Sequence, residues 1–392
     1  MNLMACGNIS YWSWSRSLTT IIGRQVSKQA IFERMTPAWV ATVKALVVEV
    51  IKTQASSQKK NKLFKKFGQV WLQDSTCVQL PSLLFDKYRG NTSGGKKNAV
   101  AKLNVIVNVI NGFCAHMSWT GFTVTEQSLS SDIMSIARAK DLVIRDLGYF
   151  VLSVLSKMND ARIYFLSRWR NAVVLYDAAN GQEINLRSLL RGKAHVDMEV
   201  LCGRAEKVKV RLVAIKLTEA QANERRRKAK ADRHRSANHN KTYYYLLGYS
   251  IFITNVQQDI WDYRQVAEAY GVRWQVEILF KSWKSGFRIE RLIPEARTNT
   301  ERVESILYLL LLYIAWYQEL VYDKVRRYAS EKKKEGLSMI KVAMRAISNT
   351  MIWISNKLSV YLKKEILYYC CYDTRCRSNS VKHLGQFFEP LA

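Results

Sequence analysis

The alternation of apolar and polar positions divides the chain into stretches of different texture. Residues 1–55 carry apolar side chains at helical spacing and predict a mostly helical region. Within it, residues 23–35 (GRQVSKQAIFERM) fit a helix-turn-helix unit with Ser27 as N-cap. They fit more readily an ordinary amphipathic helix packed on a neighbour. A lysine-rich joint follows at Lys59, Lys60, Lys62, Lys65 and Lys66. Residues 67–72, 103–110 and 114–122 are then rich in β-formers and bounded by Gly90, Gly94, Gly95 and Asn111-Gly112, which predicts strands. Residues 131–139 read as a helix, 142–144 as a short buried strand, 151–158 as a helix and 161–167 as a strand. Strands in antiparallel order, followed by strands alternating with helices, predict an α/β layered core.

From residue 169 to about 248 the pattern returns to short β pieces (AVVLYD, QEINL, AHVDMEVL, KVKVRLVAIKL), which predicts an inserted sheet. Residues 224–235 (ERRRKAKADRHR) interrupt it with seven Arg or Lys in twelve positions. Such a run reads as a solvated, mobile loop that can also grip phosphates. Residues 244–254 predict a strand, and after Asp259 the period becomes helical through Lys284. Residues 300–392 read as helical, with an apolar core helix over 306–317 and a basic loop at 332–334. No internal repeat is visible.

Composition narrows the partner. The chain has 392 residues, 48% hydrophobic and 24% charged, enough for two or three units with a sizeable core. Its formal net charge is +29, so a polyanion is the expected partner, nucleic acid ahead of an anionic membrane surface. Residues 1–25 lack the continuous apolar stretch of a signal peptide, and the apolar run at 306–317 is short of the ~20 residues that span a bilayer. The seven cysteines are odd in number and scattered, which does not make a disulfide framework. Cys370, Cys371, Cys376 and His383 are spaced too loosely for a zinc site to be the favoured reading, and His234 and His239 read as loop residues. An intracellular protein facing nucleic acid is the expectation.

The chemistry lies in acids set among bases. Tyr270, Arg273, Glu277 and Lys284 stand at offsets 0, 3, 7 and 14, which in one continuous helix fall on a stripe about 60° wide. The stripe suits a polyanion, with Arg and Lys on phosphate, and Glu on a bridging metal. It also fits a solvated face with Arg273 and Glu277 paired. Asp74 and Asp146 each follow an apolar strand, where an α/β sheet presents site residues and where turn-forming aspartates are also common. Three carboxylates on so basic a chain would hold two Mg²⁺ ions able to activate an attacking oxygen and stabilise a leaving one.

The segment YGVRWQVEILFKSWK, Tyr-x2-Arg-x3-Glu-x6-Lys, resembles the YREK signature of the DDE transposases of the bacterial insertion sequence four family. DSTCVQLPSLLFDKYRG is similar to that family's first-Asp block, DLVIRDLGYF to its second, and ITN at 253–255 to the strand before its Glu helix. Separations of 72 and 131 residues between the three acids fit a family that carries an insertion before the Glu. The resemblance covers about residues 60–300.

It implies an α/β fold with an RNase H-like mixed-sheet core and helices on both faces, interrupted by an inserted β-rich domain and flanked by helical ends. The implied division is 1–58 as a helical region for DNA ends, 59–168 and 249–300 as the two parts of the core, 169–248 as the insertion with its basic loop, and 301–392 as a helical, dimerising region. Asp74, Asp146 and Glu277 would bind metal, Mg²⁺ or Mn²⁺. Tyr270, Arg273 and Lys284 would contact DNA, joined by Arg225, Arg226 and Arg227 of the basic run. The family cuts its element's ends and transfers the strand, commonly through a DNA hairpin, as a dimer in a synapse on inverted repeats and target DNA. A bacterial, nucleoid-associated, cytoplasmic enzyme follows. A base flipped at the end needs an aromatic partner, for which Trp169, Trp261, Trp274 and Trp283 are available. Residues 1–55 match no family block. The rival expectations are a nuclease that cuts without joining and a decayed copy that only binds DNA.

Overall fold

The computed structural model describes residues 10–53, 62–93, 95–110, 113–171, 173–231, 240–287, 293, 298–331, 337–348, 365 and 368–370. Lys59, Lys60, Gly94, Asn111, Gly112, His234, His239, the run 332–334, Cys371, Cys376 and His383 lie outside the described residues.

The first described residues form three helices: α1 (Tyr11–Ile22), α2 (Lys28–Arg34) and α3 (Pro37–Thr53). Gly23 ends α1 at φ 70°, and Ser27 accepts the Ala30 amide to start α2, so the expected cap is present. Tyr11 and Phe32 meet edge-on at 5.7 Å across the turn. Strands follow as β1 (Val70–Leu80), β2 (Arg89–Ser93), β3 (Lys96–Asn108), β4 (Cys114–Gly121) and β5 (Leu142–Arg145). Then come α4 (Leu152–Asp160), β6 (Tyr164–Arg168), β7 (Leu175–Asp177), α5 (Leu186–Leu190), β8 (His195–Cys202) and β9 (Val208–Lys216). The chain continues as α6 (Glu219–Ala231), α7 (Lys241–Leu246), β10 (Tyr249–Thr254), α8 (Tyr263–Gly271) and α9 (Trp274–Lys281). Next are α10 (Thr300–Tyr317), α11 (Asp323–Glu331) and α12 (Met339–Ser348). The result is a mixed α/β architecture.

Two compact units divide these elements. One comprises residues 62–73 and 125–273, with strand order β1-β5-β6-β10-β9-β8-β7. β1, β5 and β6 run parallel, with Leu142 between Val70 and Tyr164, and Arg145 between Gln73 and Ser167. All four β5 residues are buried, the uninterrupted burial expected of a central parallel strand. β10 pairs antiparallel with both β6 and β9, and β8 and β7 continue outward. The strands of 169–248, expected as an inserted sheet, therefore add to the same sheet through β10, which comes later in sequence and covers the edge of β6.

Buried polar side chains fix this unit. The Asp141 carboxylate accepts from the amides of Gln69 and Arg138 and from Trp71 Nε1 at 2.7–3.0 Å, tying the entry of β5 to β1. A Cβ at Gly68 would stand 2.5 Å from that carboxylate, so glycine is required there. Arg211 pairs with Asp197 through two hydrogen bonds of 2.7 and 2.6 Å and donates to the carbonyls of Val256 and Trp261. This pair clamps the loop leading into α8 onto β8 and β9.

The other unit comprises residues 1–61, 74–124 and 274–392. Here β3 has β1, β2 and β4 as neighbours, with β2 and β4 antiparallel to it. Helix α10 starts at the Asn299 cap and is buried along most of its length, as a core helix is. Residues 300–329 are long and apolar enough to cross a bilayer by length and composition, and most of that stretch is enclosed by protein. Glu304 on α10 accepts from Tyr88 at 2.8 Å and pairs with Lys87, and Arg302 lies 4.1 Å over the Tyr11 ring.

Several local stretches differ from the pattern's expectation. The basic run, expected as a loop, is helical to Ala231, because Glu, Ala, Gln, Arg and Lys are strong helix formers and Glu224 pairs with Arg227 and Lys228 one turn on. Residues 241–246, read partly as strand, form α7, since Asn240 caps it by accepting the Tyr243 amide. The helix after Asp259 is broken. Val272 and Arg273 donate to the carbonyls of Ala269 and Tyr270, a tighter i→i−3 turn just past Gly271.

Candidate active site

Asp146 sits immediately beyond the C-terminal end of β5, in extended conformation at the start of a 3₁₀ turn, Leu147–Tyr149. Its carboxylate makes no capping bond to that turn and lies 3.6 Å from Arg273 Nε, with about 43% of the side chain exposed. The neighbouring Arg145 points the other way and is fully buried. It donates to the Ser130 hydroxyl and carbonyl at 2.8 and 2.6 Å, anchoring the strand end from behind. Burial pushes its guanidinium down to about 9.

Arg273 follows α8 and reaches Asp146 while its guanidinium lies 6.0 Å from the Tyr270 ring. Arg168, the last residue of β6, stands 5.7 Å from the same ring. Tyr270 is thus flanked by two guanidiniums and backed by Phe252 at 5.1 Å. Burial pushes its hydroxyl up to about 12, against the opposing pull of Arg273. The hydroxyl therefore stays protonated, and can donate, across the whole range in which the protein would work. Tyr270→Phe is expected to lower DNA affinity or cleavage by about tenfold, one neutral hydrogen bond, and to leave the pH profile below pH 10 unchanged. A lost alkaline limb below pH 10 in that variant would contradict the assignment.

Arg168 was absent from the sequence reading. A basic residue at the exit of a parallel strand, level with Asp146 on the neighbouring strand, is the signal that finds it. Ser167 pairs with Arg145, so Arg168 and Asp146 each come next after that pair.

The remaining signature residues belong to the other unit. Asp74 is the residue after Gln73, whose pairing with Arg145 is the last of the parallel β1–β5 register. It was expected to end its strand, but β1 continues to Leu80, because Thr76, Cys77 and Val78 prolong the β-forming run. Asp74 is half-buried and its Oδ1 accepts the Ser75 amide at 2.8 Å. Glu277 is exposed on α9, four residues into the helix. Lys284 is half-buried in a π-helical turn, Ser282–Gly286, a local widening frequent at functional sites. With a tightened turn before α9 and a π turn after it, the four residues do not belong to the one continuous α-helix that the stripe assumed.

Among the described residues, no group of three or more His, Cys, Asp or Glu is close enough to hold a metal ion. The donor chemistry of Asp74, Asp146 and Glu277 still suits a hard divalent cation, since all are carboxylates and none is a thiolate or imidazole.

Of the four tryptophans, Trp261 and Trp283 are buried, and Trp169 is half-buried with Nε1 bonded to the Val173 carbonyl. Trp274, first in α9, is 47% exposed. The three arginines of the basic helix also differ. Arg225 donates to the Tyr249 carbonyl and Ser250 Oγ at 3.0 Å, and Arg226 to the Tyr244 carbonyl, so both pack α6 against its neighbours. Arg227 is exposed and pairs with Glu224. Arg225→Ala is expected to cost about 1–3 kcal/mol of stability, read as a lowered Tm. Arg227→Ala should leave Tm in place and lower the salt dependence of DNA binding by about 0.9 in log–log slope.

The family model for the transposase DDE domain matches residues 65–313. The transposase of insertion sequence IS231D from Bacillus thuringiensis subsp. finitimus is 28% identical over 298 residues, covering 71% of this chain and 61% of its own length. That of IS231C from Bacillus thuringiensis subsp. berliner is 25% identical over 330 residues, covering 76% and 68%. The IS1151 transposase of Clostridium perfringens is 22% identical over 331 residues, covering 77% and 68%. The matched region thus spans about 61% of the first of these relatives. A piggyBac transposase synaptic complex with hairpin DNA aligns at TM-score 0.41 and 10% identity, covering 91% of this chain and 79% of that one.

Proposed function

The chain belongs to the family of transposases with a DDE domain, and from that premise we propose that it cuts and rejoins DNA at the ends of an insertion sequence. The observation that carries the reading is the cluster of Asp146, Arg273, Tyr270 and Arg168 at the end of two parallel strands. It holds an acid, two guanidiniums and a protonated phenol together on a chain of net charge +29. The parallel order β1-β5-β6, with β3 beside β1 and β4 on β3, supports an RNase H-like core.

In this reading Asp74, Asp146 and Glu277 hold divalent metal, with Mg²⁺ the expected ion. When bound, the metal supplies Lewis-acid activation of the attacking oxygen and stabilises the leaving one. Arg273 screens the Asp146 carboxylate and turns to a DNA phosphate when the duplex arrives, since its delocalised cation pairs equally well with either oxyanion. Arg168 holds a second phosphate oxygen. Tyr270 donates its hydroxyl proton in a hydrogen bond to the backbone while its ring stays fixed between the guanidiniums. Lys284 contributes a further point charge. Trp274 is the most exposed of the four tryptophans weighed above, and it stacks on a base displaced at the cleaved end. Cleavage followed by strand transfer, through a hairpin, in a homodimer on inverted repeats completes the proposal, in the bacterial cytoplasm at the nucleoid.

The test is a linear duplex carrying the element's own terminal repeat, incubated with the protein in Mg²⁺ or in EDTA. Mg²⁺-dependent cuts at the repeat end, absent from a duplex of arbitrary sequence, are the expected result. Binding without any cut in Mg²⁺ or Mn²⁺ would leave a DNA-binding protein alone.

A further inference from the structure

At the opposite ends of β5 and β6 from Asp146 lies an open cleft of about 730 Å³. Its floor is the edge where β5, β6 and β9 begin and β10 ends, and two of its walls are Lys140 and Arg162. These two residues stand side by side. Each lies two positions before the paired residues Leu142 and Tyr164, and the Lys140 amide donates to the Arg162 carbonyl at 2.8 Å. Both have left-handed backbones, φ 69° and 55°, a region that long side chains rarely occupy. Glycine or asparagine would sit there with less strain. Among the described residues only one further non-glycine position, Lys207, has positive φ.

The electrostatics of the cleft are one-sided. Its acid, Glu199, is neutralised by Lys209 at 2.9 Å, and the Arg211 charge is taken by Asp197. Lys140 and Arg162 are exposed and have no ion-pair partner among the described residues. Tyr164 and Gln257, both neutral and able to donate, line the same space. Two uncompensated cations with neutral donors beside them, in an open trough, match the oxygens of successive phosphodiesters. The four residues of β5 alone separate this edge from Asp146 by about 13 Å. One phosphate cannot serve both places.

We propose that this cleft grips the backbone phosphates of a second stretch of DNA, apart from the strand presented to Asp146, through Lys140 and Arg162. The proposal rests on the DNA-processing function above and adds a second contact region to it. A free nucleotide carries the same phosphate chemistry, and the experiment separates the two sources.

The full chain is compared with the double variant Lys140→Gly/Arg162→Gly, which removes both charges and relieves both backbones. Its Tm is therefore expected to hold or rise, and Lys140→Asn/Arg162→Asn serves as a second variant with the same backbone tolerance. Affinity for a 30-bp duplex of arbitrary sequence is measured across salt concentrations. The slope of log K on log salt should fall by about 1.8 in either variant, two phosphate contacts at ~0.9 each, while cuts at the element's terminal repeat persist. An unchanged slope with DNA still bound overturns the cleft and leaves the enzyme's function standing. Binding of ATP by the wild type but not by the variants, with that slope unchanged, also overturns it in favour of a nucleotide site. A wild type that binds no duplex at all overturns the underlying function and the cleft together.

Discussion

Asp146→Asn and Glu277→Gln are each expected to slow end cleavage by roughly a thousandfold or more, about 4 kcal/mol of barrier, while DNA binding holds or tightens. Each change keeps the shape of the side chain and removes one anionic oxygen. A metal held by three carboxylates loses a ligand it cannot replace with an amide of equal strength. The backbone of DNA, in contrast, meets one negative charge fewer, so the electrostatic part of binding cannot weaken. In Asp146→Asn the Arg273 guanidinium also loses its anionic neighbour at 3.6 Å. Single-turnover cleavage and gel-shift titration on the same duplex separate the two effects. Cleavage within tenfold of wild type in either variant would remove that residue from the metal-binding set.

The second large effect concerns the fold that holds the cluster in place. Asp197→Ala leaves Arg211 buried with its guanidinium charge uncompensated, and is expected to cost roughly 3–5 kcal/mol. For a unit of this size that lowers Tm by about 10 °C. Asp197→Leu/Arg211→Met, which removes both charges, should recover much of the loss. The pH dependence has a definite sign. Burial by itself would raise the Asp197 carboxyl, but the hydrogen bonds and charge of Arg211, helped by Gln258 and His195, outweigh it and hold the group below the usual carboxylate range. A depressed acid stabilises the fold above its unfolded pKa of about 4 and loses that contribution as the pH falls further. Thermal melts from pH 7 to pH 3 should therefore converge for wild type and Asp197→Leu/Arg211→Met at the acid end. Parallel curves would show that the pair does not titrate with folding.

How much of this was legible in the sequence depends on how local the cause is. Asp146 was legible because Leu142, Val143 and Ile144 form an unbroken buried run, and the acid ends it. The Ser27 cap was legible for the same reason, since the bond spans three residues. Asp74 was expected at the end of a strand and lies inside β1, which has two different neighbours along its length. The Tyr-Arg-Glu-Lys stripe requires an unbroken helix. A glycine and a π turn each alter the pitch without altering the apolar pattern, so periodicity could not reveal them. The β-rich stretch looked like a separate sheet because nothing between 169 and 248 announces that β10 will pair with β9. Arg225 and Arg227 are indistinguishable in a basic run. Only the Tyr249 carbonyl and Ser250 hydroxyl, contributed by another strand, make one of them internal. Arg168 escaped notice for a similar reason: its partner ring lies about a hundred residues away.

The central claim, that Asp74, Asp146 and Glu277 serve one metal site on DNA, is tested most directly by Mn²⁺ electron paramagnetic resonance. The protein bound to a duplex with the element's terminal repeat is titrated with Mn²⁺, and wild type is compared with Asp74→Asn, Asp146→Asn and Glu277→Gln. The account predicts bound Mn²⁺ on wild type and a loss of at least about tenfold in affinity in each of the three variants. Equal Mn²⁺ binding by all four complexes would contradict it.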